Sequence, residues 1–303
     1  MDPAPRHNLL LWLHLALPLA ATDADTLRMA VDCTTEELTV FIALKDAITS
    51  EEESTSDGWS HMQRRIAELY AVSVSHSQKV SVDIVPLNFC AYSADDMLPY
   101  KHNATLLQSS DSMLPEWWPS EMHTNVKSRY QQEYPLVGQS TRTPTPWKSF
   151  AHVAVGGTFD HLHVGHKILL TATALAATKR IVCGISAEAL LENKQHKEYL
   201  ESYRTRELNV LLFLRKIRKN IIVELVPIVD RYGPTITDST IGALVVSQET
   251  LPGSDALNVR REELGMPPMH LLPIDLVAVS GQTTENDLKI SSTAIRAALA
   301  KRQ

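Results

Sequence analysis

From Ala151 onward, apolar and polar positions follow a regular rhythm of short β-branched runs and longer amphipathic segments. The short runs predict strands, and the amphipathic segments, with apolar residues at three- and four-residue steps, predict helices. The predicted strands are HVAVGG, RIVCGIS, IIVELVPI, ALVVSQ and HLLPIDLVAV. The predicted helices are VGHKILLTATALAAT, SYRTRELNVLLFLRKIRK, GSDALNVRREELG and SSTAIRAALAKR. This alternation predicts βαβ units and a Rossmann-like, doubly wound α/β fold with a five-stranded parallel sheet.

Residues 1–137 have a different texture, with scattered apolar segments such as LTVFIALKDAIT and KVSVDIVPLNFCAY between polar stretches. They contain no internal repeat and no catalytic pattern, so we expect a mixed α/β N-terminal domain of unknown function. Ser, Thr and Pro are frequent in GQSTRTPTPWKSF, which predicts an extended linker over 138–150. The domain with regular alternation then covers 151–303.

The N-terminal stretch RHNLLLWLHLALPLAATDA resembles a secretory signal, because a basic residue precedes an apolar run and small residues. The run from Leu9 to Ala21 is too short to span a membrane, and His14 and Pro18 interrupt it. We therefore expect a buried strand or helix of the N-terminal domain. Whether the segment also targets the protein stays open.

Composition limits the partners only in part. The 303-residue chain carries a net charge of −6 and a sequence pI near 6.1, which give no general attraction to nucleic acid or to an anionic membrane. Cys33, Cys90 and Cys183 lie far apart in the sequence, which disfavours a disulfide framework or a cysteine zinc site and fits a reducing compartment. We expect a cytoplasmic protein that binds neither nucleic acid nor membrane.

The stretch GGTFDHLHVGHK, from Gly156 to Lys167, carries the clearest chemical signal. Its two glycines allow the backbone to turn sharply and to approach a ligand closely. A helix that begins near Val164 places His163 and His166 on one face of its first turn. Because a helix N-terminus offers N–H groups to an anion, this arrangement favours a phosphate-binding site.

Other interpretations of the histidines are less favoured. A metal site would need a third protein ligand, and neither HExxH nor a Cys/His spacing accompanies the cluster. A single general-base histidine is a chemical alternative, but a pair three residues apart beside glycines suits phosphate binding better. The bland alternative is one helix-capping histidine beside solvated ones. We predict that the protein supplies no metal-binding site of its own.

GGTFDHLHVGHK is similar to the HxGH signature of the nucleotidylyl transferase superfamily, and KISSTAIR, Lys289–Arg296, resembles its second signature, ISSTxIR. DRYGPTITD, ALVVSQET and NVRREELG resemble the eukaryotic and archaeal type of phosphopantetheine adenylyltransferase. The resemblance covers about residues 151–303 and implies the nucleotidylyl transferase fold.

The resemblance implies that 4′-phosphopantetheine attacks the α-phosphorus of ATP, giving dephospho-CoA and pyrophosphate in coenzyme A biosynthesis. It further implies that His166 donates to the α-phosphate in the transition state and that His163 contacts the ATP phosphates beside it. Mg²⁺ is expected to arrive with ATP, held mostly by phosphates and water, and Asp160 is the carboxylate nearest to the motif. The expected ATP-binding residues are Gly157, Thr158, Phe159, His163, His166, Ser291, Ser292, Thr293 and Arg296.

The residues that bind the acceptor are implied less directly. Thr158 is expected to hold the attacking phosphate, and Lys194 aligns best with the phosphopantetheine-binding lysine of the family, with Lys197 as its competitor. Arg206 is a weaker candidate for a phosphate contact. The bacterial form has an arginine-rich loop after its fourth strand, whereas VVSQETLPG has no arginine before Arg260. Arg206 or Arg260 replaces that arginine, or the acceptor phosphate is held differently.

Two alternatives to this function stay open. Another transferase of the superfamily would use nicotinamide mononucleotide, FMN or a phosphorylated alcohol, because the two signatures do not discriminate between acceptors. A non-catalytic scaffold of a CoA-synthesising complex would use the N-terminal half to contact other enzymes of the pathway. Catalysis is favoured over a scaffold role, because a scaffold has no physical need for the intact histidines, for Lys194 or for the SST triplet (Ser291, Ser292 and Thr293). The animal form of this activity is fused to dephospho-CoA kinase, which needs a GxxxxGK[ST] motif. No such motif occurs in this sequence, so we expect dephospho-CoA as the product.

Overall fold

The computed structural model divides the chain into two compact units, Met1–Trp147 and Lys148–Gln303. Phe150, the last residue of the predicted linker, already belongs to the first strand of the second unit. The structure describes residues 6–15, 21–32, 34–44, 66–74, 76–77, 79–86, 90–97, 105–108, 149–247, 250–274 and 291–301.

The first unit contains a four-stranded, all-parallel sheet with strand order β3-β2-β1-β4. The apolar N-terminal run supplies β1, an inner strand of this sheet. The expectation of a mixed α/β unit is confirmed. No helix in the segments described is both long and apolar enough to cross a membrane. The elements are β1 (Arg6–Leu15), α1 (Ala21–Asp32), β2 (Thr34–Leu44), α2 (66–74), β3 (Ser81–Pro86), α3 (Ala94–Met97) and β4 (Thr105–Gln108).

The second unit contains the predicted sheet of five parallel strands, which confirms the fold class. Its strand order is β7-β6-β5-β8-β9, so β5 lies at the centre and the order reverses between β5 and β8. A sheet of this kind binds ligands outside the carboxyl ends of its strands at the reversal. The strands are β5 (Phe150–Gly157), β6 (Ala177–Ser186), β7 (Ile222–Ile228), β8 (Ala243–Ser247) and β9 (His270–Ile274).

Four α-helices connect or follow these strands, close to their predicted positions. Gly265 adopts a φ of 69° just beyond α6, as expected of a glycine that ends a helix. The prediction for the last strand extended to residue 279, and residues 275–279 lie outside the described part of the chain. The helices are α4 (Val164–Ala176), α5 (Tyr203–Ile217), α6 (Leu251–Glu263) and α7 (Ser292–Ala300).

The central strands bury their apolar residues on both faces, as a parallel sheet requires. Val153, Val155 and Ile181 are almost fully buried, and so is the free thiol of Cys183 on β6. Ala154 and Val182 belong to a further cluster. This core holds the carboxyl end of β5, and hence the turn that follows it, in a defined place.

Candidate active site

The turn between β5 and α4, residues 158–163, follows the carboxyl end of the central strand. Phe159 and His161 adopt φ values of 52° and 46°, which are unusual for residues other than glycine. The Phe159 side chain is fully buried. A Cβ atom on Gly157 would lie 3.1 Å from Cζ of Phe159. Gly157 therefore makes room for a ring of its own turn, a role that the sequence pattern did not indicate.

His163 and His166 form a stacked pair at the start of α4. His163 is the N-cap residue, and the two imidazole rings lie 3.8 Å apart at an interplanar angle of 25°. The amide N–H of His163 donates to Nδ1 of His166 over a long distance of 3.5 Å. Because Nδ1 accepts, a neutral His166 carries its proton on Nε2, which makes that atom a donor. The Phe159 ring packs against His166 at 5.3 Å.

Burial keeps both imidazoles neutral at pH 7. It lowers the pKa of His163 to about 4, although the carboxylate of Asp160 opposes this shift. It also lowers the pKa of His166 to about 2, and the neighbouring charge of a protonated His163 adds to the effect. Nδ1 of His163 is buried without a hydrogen-bond partner among the described residues. The pair thus offers neutral donors beside the N-terminus of α4.

These shifts predict that the protein loses stability as the pH falls below about 6.5. An unfolded histidine binds a proton near its ordinary pKa of 6.5, whereas the folded residues exclude it down to about 4 and about 2. The unfolded state therefore binds more protons in this window, and each site contributes a slope of up to about 1.4 kcal/mol per pH unit.

The slope is measurable by urea unfolding between pH 7 and pH 5. Labelling of the buried Cys183 thiol by a dipyridyl disulfide, read by peptide mass spectrometry, reports unfolding of the second unit. A His166→Asn variant should show a shallower pH dependence than the wild type. A free energy of unfolding that stays constant across this window would contradict histidines that are held neutral in the folded state.

A buried ion pair joins the turn to α7. Nη1 of Arg296 lies 2.6 Å from Oδ2 of Asp160, and the two residues are 1% and 0% exposed. The hydroxyl of Ser292 also donates to the carbonyl of Asp160 at 2.8 Å. The structure therefore brings the HxGH turn and the ISSTxIR helix together. Arg296, which the sequence predicts as an ATP contact, is engaged in this pair.

The remaining hydroxyls of the SST triplet have different surroundings. Ser291 is the N-cap of α7, and its hydroxyl accepts from the amide of Ala294 at 3.2 Å. The Thr293 hydroxyl accepts from Nη2 of Arg296 at 3.2 Å, and Thr293 itself is exposed. N-capping thus accounts for one of the hydroxyls that the sequence assigns to an anion site. The first amide groups of the helix point out of its N-terminus, as in any α-helix.

Residues 187–201, which we call the lysine segment, connect β6 to α5. Lys194 and Lys197 are both exposed on it. Nε2 of His161 lies 2.8 Å from the Tyr199 carbonyl oxygen. The segment ends at Glu201, whose amide donates to Oδ1 of Asp160 at 2.9 Å and whose carboxylate accepts from the His161 amide at 2.7 Å. His161 therefore anchors the lysine segment.

The two arginines proposed for the acceptor occupy different environments. Arg206 is 1% exposed, and its Nη1 donates to the carbonyls of Thr158 at 2.7 Å and Ser186 at 3.0 Å. It connects the ends of two strands through their backbones. Arg260 lies on the exposed surface of α6, where it pairs with Glu263 at 2.7 Å. Neither guanidinium lines the cavity at the carboxyl ends of the strands.

A cavity of about 540 Å³ opens at the carboxyl ends of the strands. It is lined by Gly156 and Gly157, the last two residues of β5 before the turn, and Leu244 and Leu257 contribute to its apolar walls. The segment after β7 adds Asp230, Arg231 and Tyr232, which belong to the DRYGP stretch. The cavity thus has an apolar body with polar groups at one side.

Sequence reasoning did not assign functions to Asp160, His161 and Glu201. Their partners lie up to 136 positions away, as in the pair of Asp160 with Arg296. No local spacing indicates such a contact. The available signal was the position of Asp160 and His161 inside the HxGH stretch, where any buried group must pair with another segment.

Comparison with known proteins shows the family of the chain. Residues 154–298 match the cytidylyltransferase-like family model. The chain is 37% identical over 152 residues to the phosphopantetheine adenylyltransferase of Methanopyrus kandleri, and the alignment covers 92% of that protein. The chain belongs to the phosphopantetheine adenylyltransferase family. This confirms the family that the stretches DRYGPTITD, ALVVSQET and NVRREELG indicated.

Two fungal proteins have a higher sequence identity to this chain than the Methanopyrus kandleri protein has. One is the phosphopantetheine adenylyltransferase of Saccharomyces cerevisiae, 43% identical over 155 residues. The other is an uncharacterised protein of Schizosaccharomyces pombe, 46% identical over 151 residues. Each match covers about half of this chain, and the chain spans about half the length of these two relatives, 50% and 48%.

Proposed function

We propose that the chain transfers the adenylyl group of ATP to 4′-phosphopantetheine, producing dephospho-CoA and pyrophosphate for coenzyme A biosynthesis. An oxygen of the acceptor phosphate attacks the α-phosphorus of ATP. The bond from that phosphorus to the oxygen bridging it to the β-phosphorus breaks, and pyrophosphate leaves. The observation that carries the proposal is the junction of the HxGH turn with the ISSTxIR helix through Asp160, beside an apolar cavity.

His166 acts as a hydrogen-bond donor to the α-phosphate. The amide of His163 donates to Nδ1 of His166, so the ring carries its proton on Nε2. Burial keeps this ring neutral. A donor placed in advance strengthens its interaction as charge builds on the phosphate oxygens in the transition state. His163 contributes the second imidazole, which stacks on the ring of His166. No covalent enzyme intermediate is needed.

The β- and γ-phosphates bind at the start of α7. The amides of Ser292 and Thr293 occupy the first turn, where N–H groups favour an anion. The Thr293 hydroxyl is exposed and adds a polar group. Ser291 holds the end of the helix in shape by capping it. Because this cap fixes the first turn of the helix, little ordering is needed when ATP binds.

The acceptor occupies the cavity beside the turn. Its apolar walls fit the pantetheine arm, whose amides can bond to the polar groups at one side. Thr158, which follows Gly157 at the start of the turn, holds the attacking phosphate. Lys194 supplies a positive charge from the lysine segment. Arg206 acts through the backbone of Thr158, because its Nη1 donates to that carbonyl.

Mg²⁺ is proposed to enter with ATP and to neutralise part of the charge on its phosphates. Among the residues described, no group of three His, Cys, Asp or Glu side chains could hold a metal ion. The carboxylate oxygens of Asp160 already accept from Arg296 and Glu201. Phosphate oxygens and water are therefore the expected ligands. We place the reaction in the cytoplasm, in keeping with the buried free thiol of Cys183.

Pyrophosphate release from Mg-ATP by the purified protein tests this function. Release that requires 4′-phosphopantetheine is the expected result. Release with nicotinamide mononucleotide or FMN, but not with 4′-phosphopantetheine, would keep the chemistry and replace the acceptor. If ATP binds to the folded protein and no acceptor supports release, the catalytic proposal is wrong and a scaffold role is favoured.

Substitution of Lys194 by alanine is expected to raise KM for 4′-phosphopantetheine by about tenfold or more, because a charge-assisted contact to phosphate is lost. Lys197→Ala is the matched control, since Lys197 is exposed on the same segment. Steady-state kinetics at saturating ATP measure both. A larger effect for Lys197→Ala would exchange the two assignments.

A further inference from the structure

All three nitrogens of the Arg296 guanidinium bond to protein groups. Nη1 donates to Asp160 at 2.6 Å, and Nε donates to the carbonyl of Gln195 at 2.9 Å. Nη2 donates to the hydroxyl of Thr293 at 3.2 Å, so donors in three directions are used. These bonds use three of the five N–H donors of the guanidinium, and the residue is only 1% exposed, so a phosphate could reach it only by moving the protein groups that cover it.

Asp160 connects Arg296 to the end of the lysine segment. One carboxylate oxygen accepts from Arg296, and the other accepts from the amide of Glu201. Glu201 in turn accepts from the amide of His161 and, through its carbonyl, from Nε of Arg206 at 3.1 Å. The HxGH turn, α5 and α7 therefore all meet at this end of the segment.

The middle of the lysine segment is anchored by Arg296. Arg296 holds the carbonyl of Gln195, the residue directly after Lys194. The next residue, His196, has a φ of 53°, so its backbone adopts a conformation that L-amino acids rarely populate. Such a conformation persists only where neighbouring contacts enforce it, and the Gln195 carbonyl bond is one of them.

We infer that Arg296 and Asp160 are positioning residues that hold the lysine segment, and with it Lys194, against the HxGH turn, so that the arginine of ISSTxIR governs binding of the acceptor rather than of ATP. The inference rests on the proposed function, in which Lys194 binds the acceptor phosphate. Arg296 acts through a backbone carbonyl and touches neither substrate. The start of α7 still binds the ATP phosphates through its amides.

The Arg296→Lys variant tests the inference, because an ammonium keeps the charge but cannot reproduce the planar fork of a guanidinium. Amide hydrogen exchange over 187–201, measured without substrates, is expected to rise clearly above that of the wild type. KM for 4′-phosphopantetheine should increase by about tenfold, and Kd for ATP from calorimetry should stay within about twofold. Arg204→Lys is the matched control, since the Arg204 side chain is 84% exposed on α5.

Asp160→Asn is the second variant, because it preserves shape and one acceptor oxygen while removing the charge that balances Arg296. It should produce the same pattern as Arg296→Lys. The inference is overturned if either folded variant weakens ATP binding about tenfold while exchange over 187–201 is unchanged, since that result identifies a direct nucleotide contact. If the wild type releases pyrophosphate with no acceptor, the proposed function fails. The exchange data still decide the positioning role in that case.

Discussion

Replacement of His166 by alanine is expected to lower kcat for pyrophosphate release by about a hundredfold to a thousandfold. The imidazole is a preorganised donor with a defined tautomer, and its interaction strengthens as charge develops on the α-phosphate. KM for ATP should change much less, because the amides at the starts of α4 and α7 still bind the phosphates. Initial rates with saturating Mg-ATP and 4′-phosphopantetheine give kcat directly.

His152→Ala is the matched control for this substitution. His152 lies near the beginning of β5, where its Nδ1 is 2.8 Å from the hydroxyl of Thr240, far along the strand from the turn. It should leave kcat within about twofold, as expected of a surface change away from the site. His166→Gln retains an N–H donor and should recover part of the lost rate. Equal rates for His166→Ala and the wild type would remove His166 from the mechanism.

Replacement of Asp160 by alanine is expected to lower the free energy of unfolding of the second unit by about 3–5 kcal/mol. The change leaves the guanidinium of Arg296 buried without its counter-charge and leaves the amide of Glu201 without its acceptor. Both penalties arise because buried polar groups are costly when unpaired. All five tryptophans lie in the first unit, so urea unfolding is followed by labelling of Cys183 rather than by tryptophan fluorescence.

The matched control is Glu263→Ala, which removes the partner of Arg260 in an exposed ion pair. A surface pair contributes about 0–1 kcal/mol, so this variant should unfold at nearly the wild-type urea concentration. The combined Asp160→Leu and Arg296→Met variant should recover much of the stability lost in Asp160→Ala, because no unpaired charge then remains. A loss for Asp160→Ala no larger than that for Glu263→Ala would show that the pair is not buried in solution.

The arginines of the second unit separate local from tertiary information. Helical spacing placed Arg206 on α5 and Arg296 on α7, and both stand among the largest fully buried side chains, together with Arg261. An arginine on an amphipathic helix is usually exposed, so the sequence favoured surface or phosphate-binding positions. The structure instead pairs these groups with carbonyls and a carboxylate from distant segments. Burial of this kind depends on which segments meet.

The sequence by itself determined the parallel sheet and the start of α4 at the histidines. These features depend on local periodicity and on contacts between residues a few positions apart, so the local sequence is enough to predict them. Only the tertiary structure decided that Gly157 accommodates Phe159, that His161 anchors the lysine segment, and that Asp160 pairs with Arg296. Those contacts, and the lowered pKa values of the histidine pair, depend on burial and on partners remote in sequence, because folding alone brings them together.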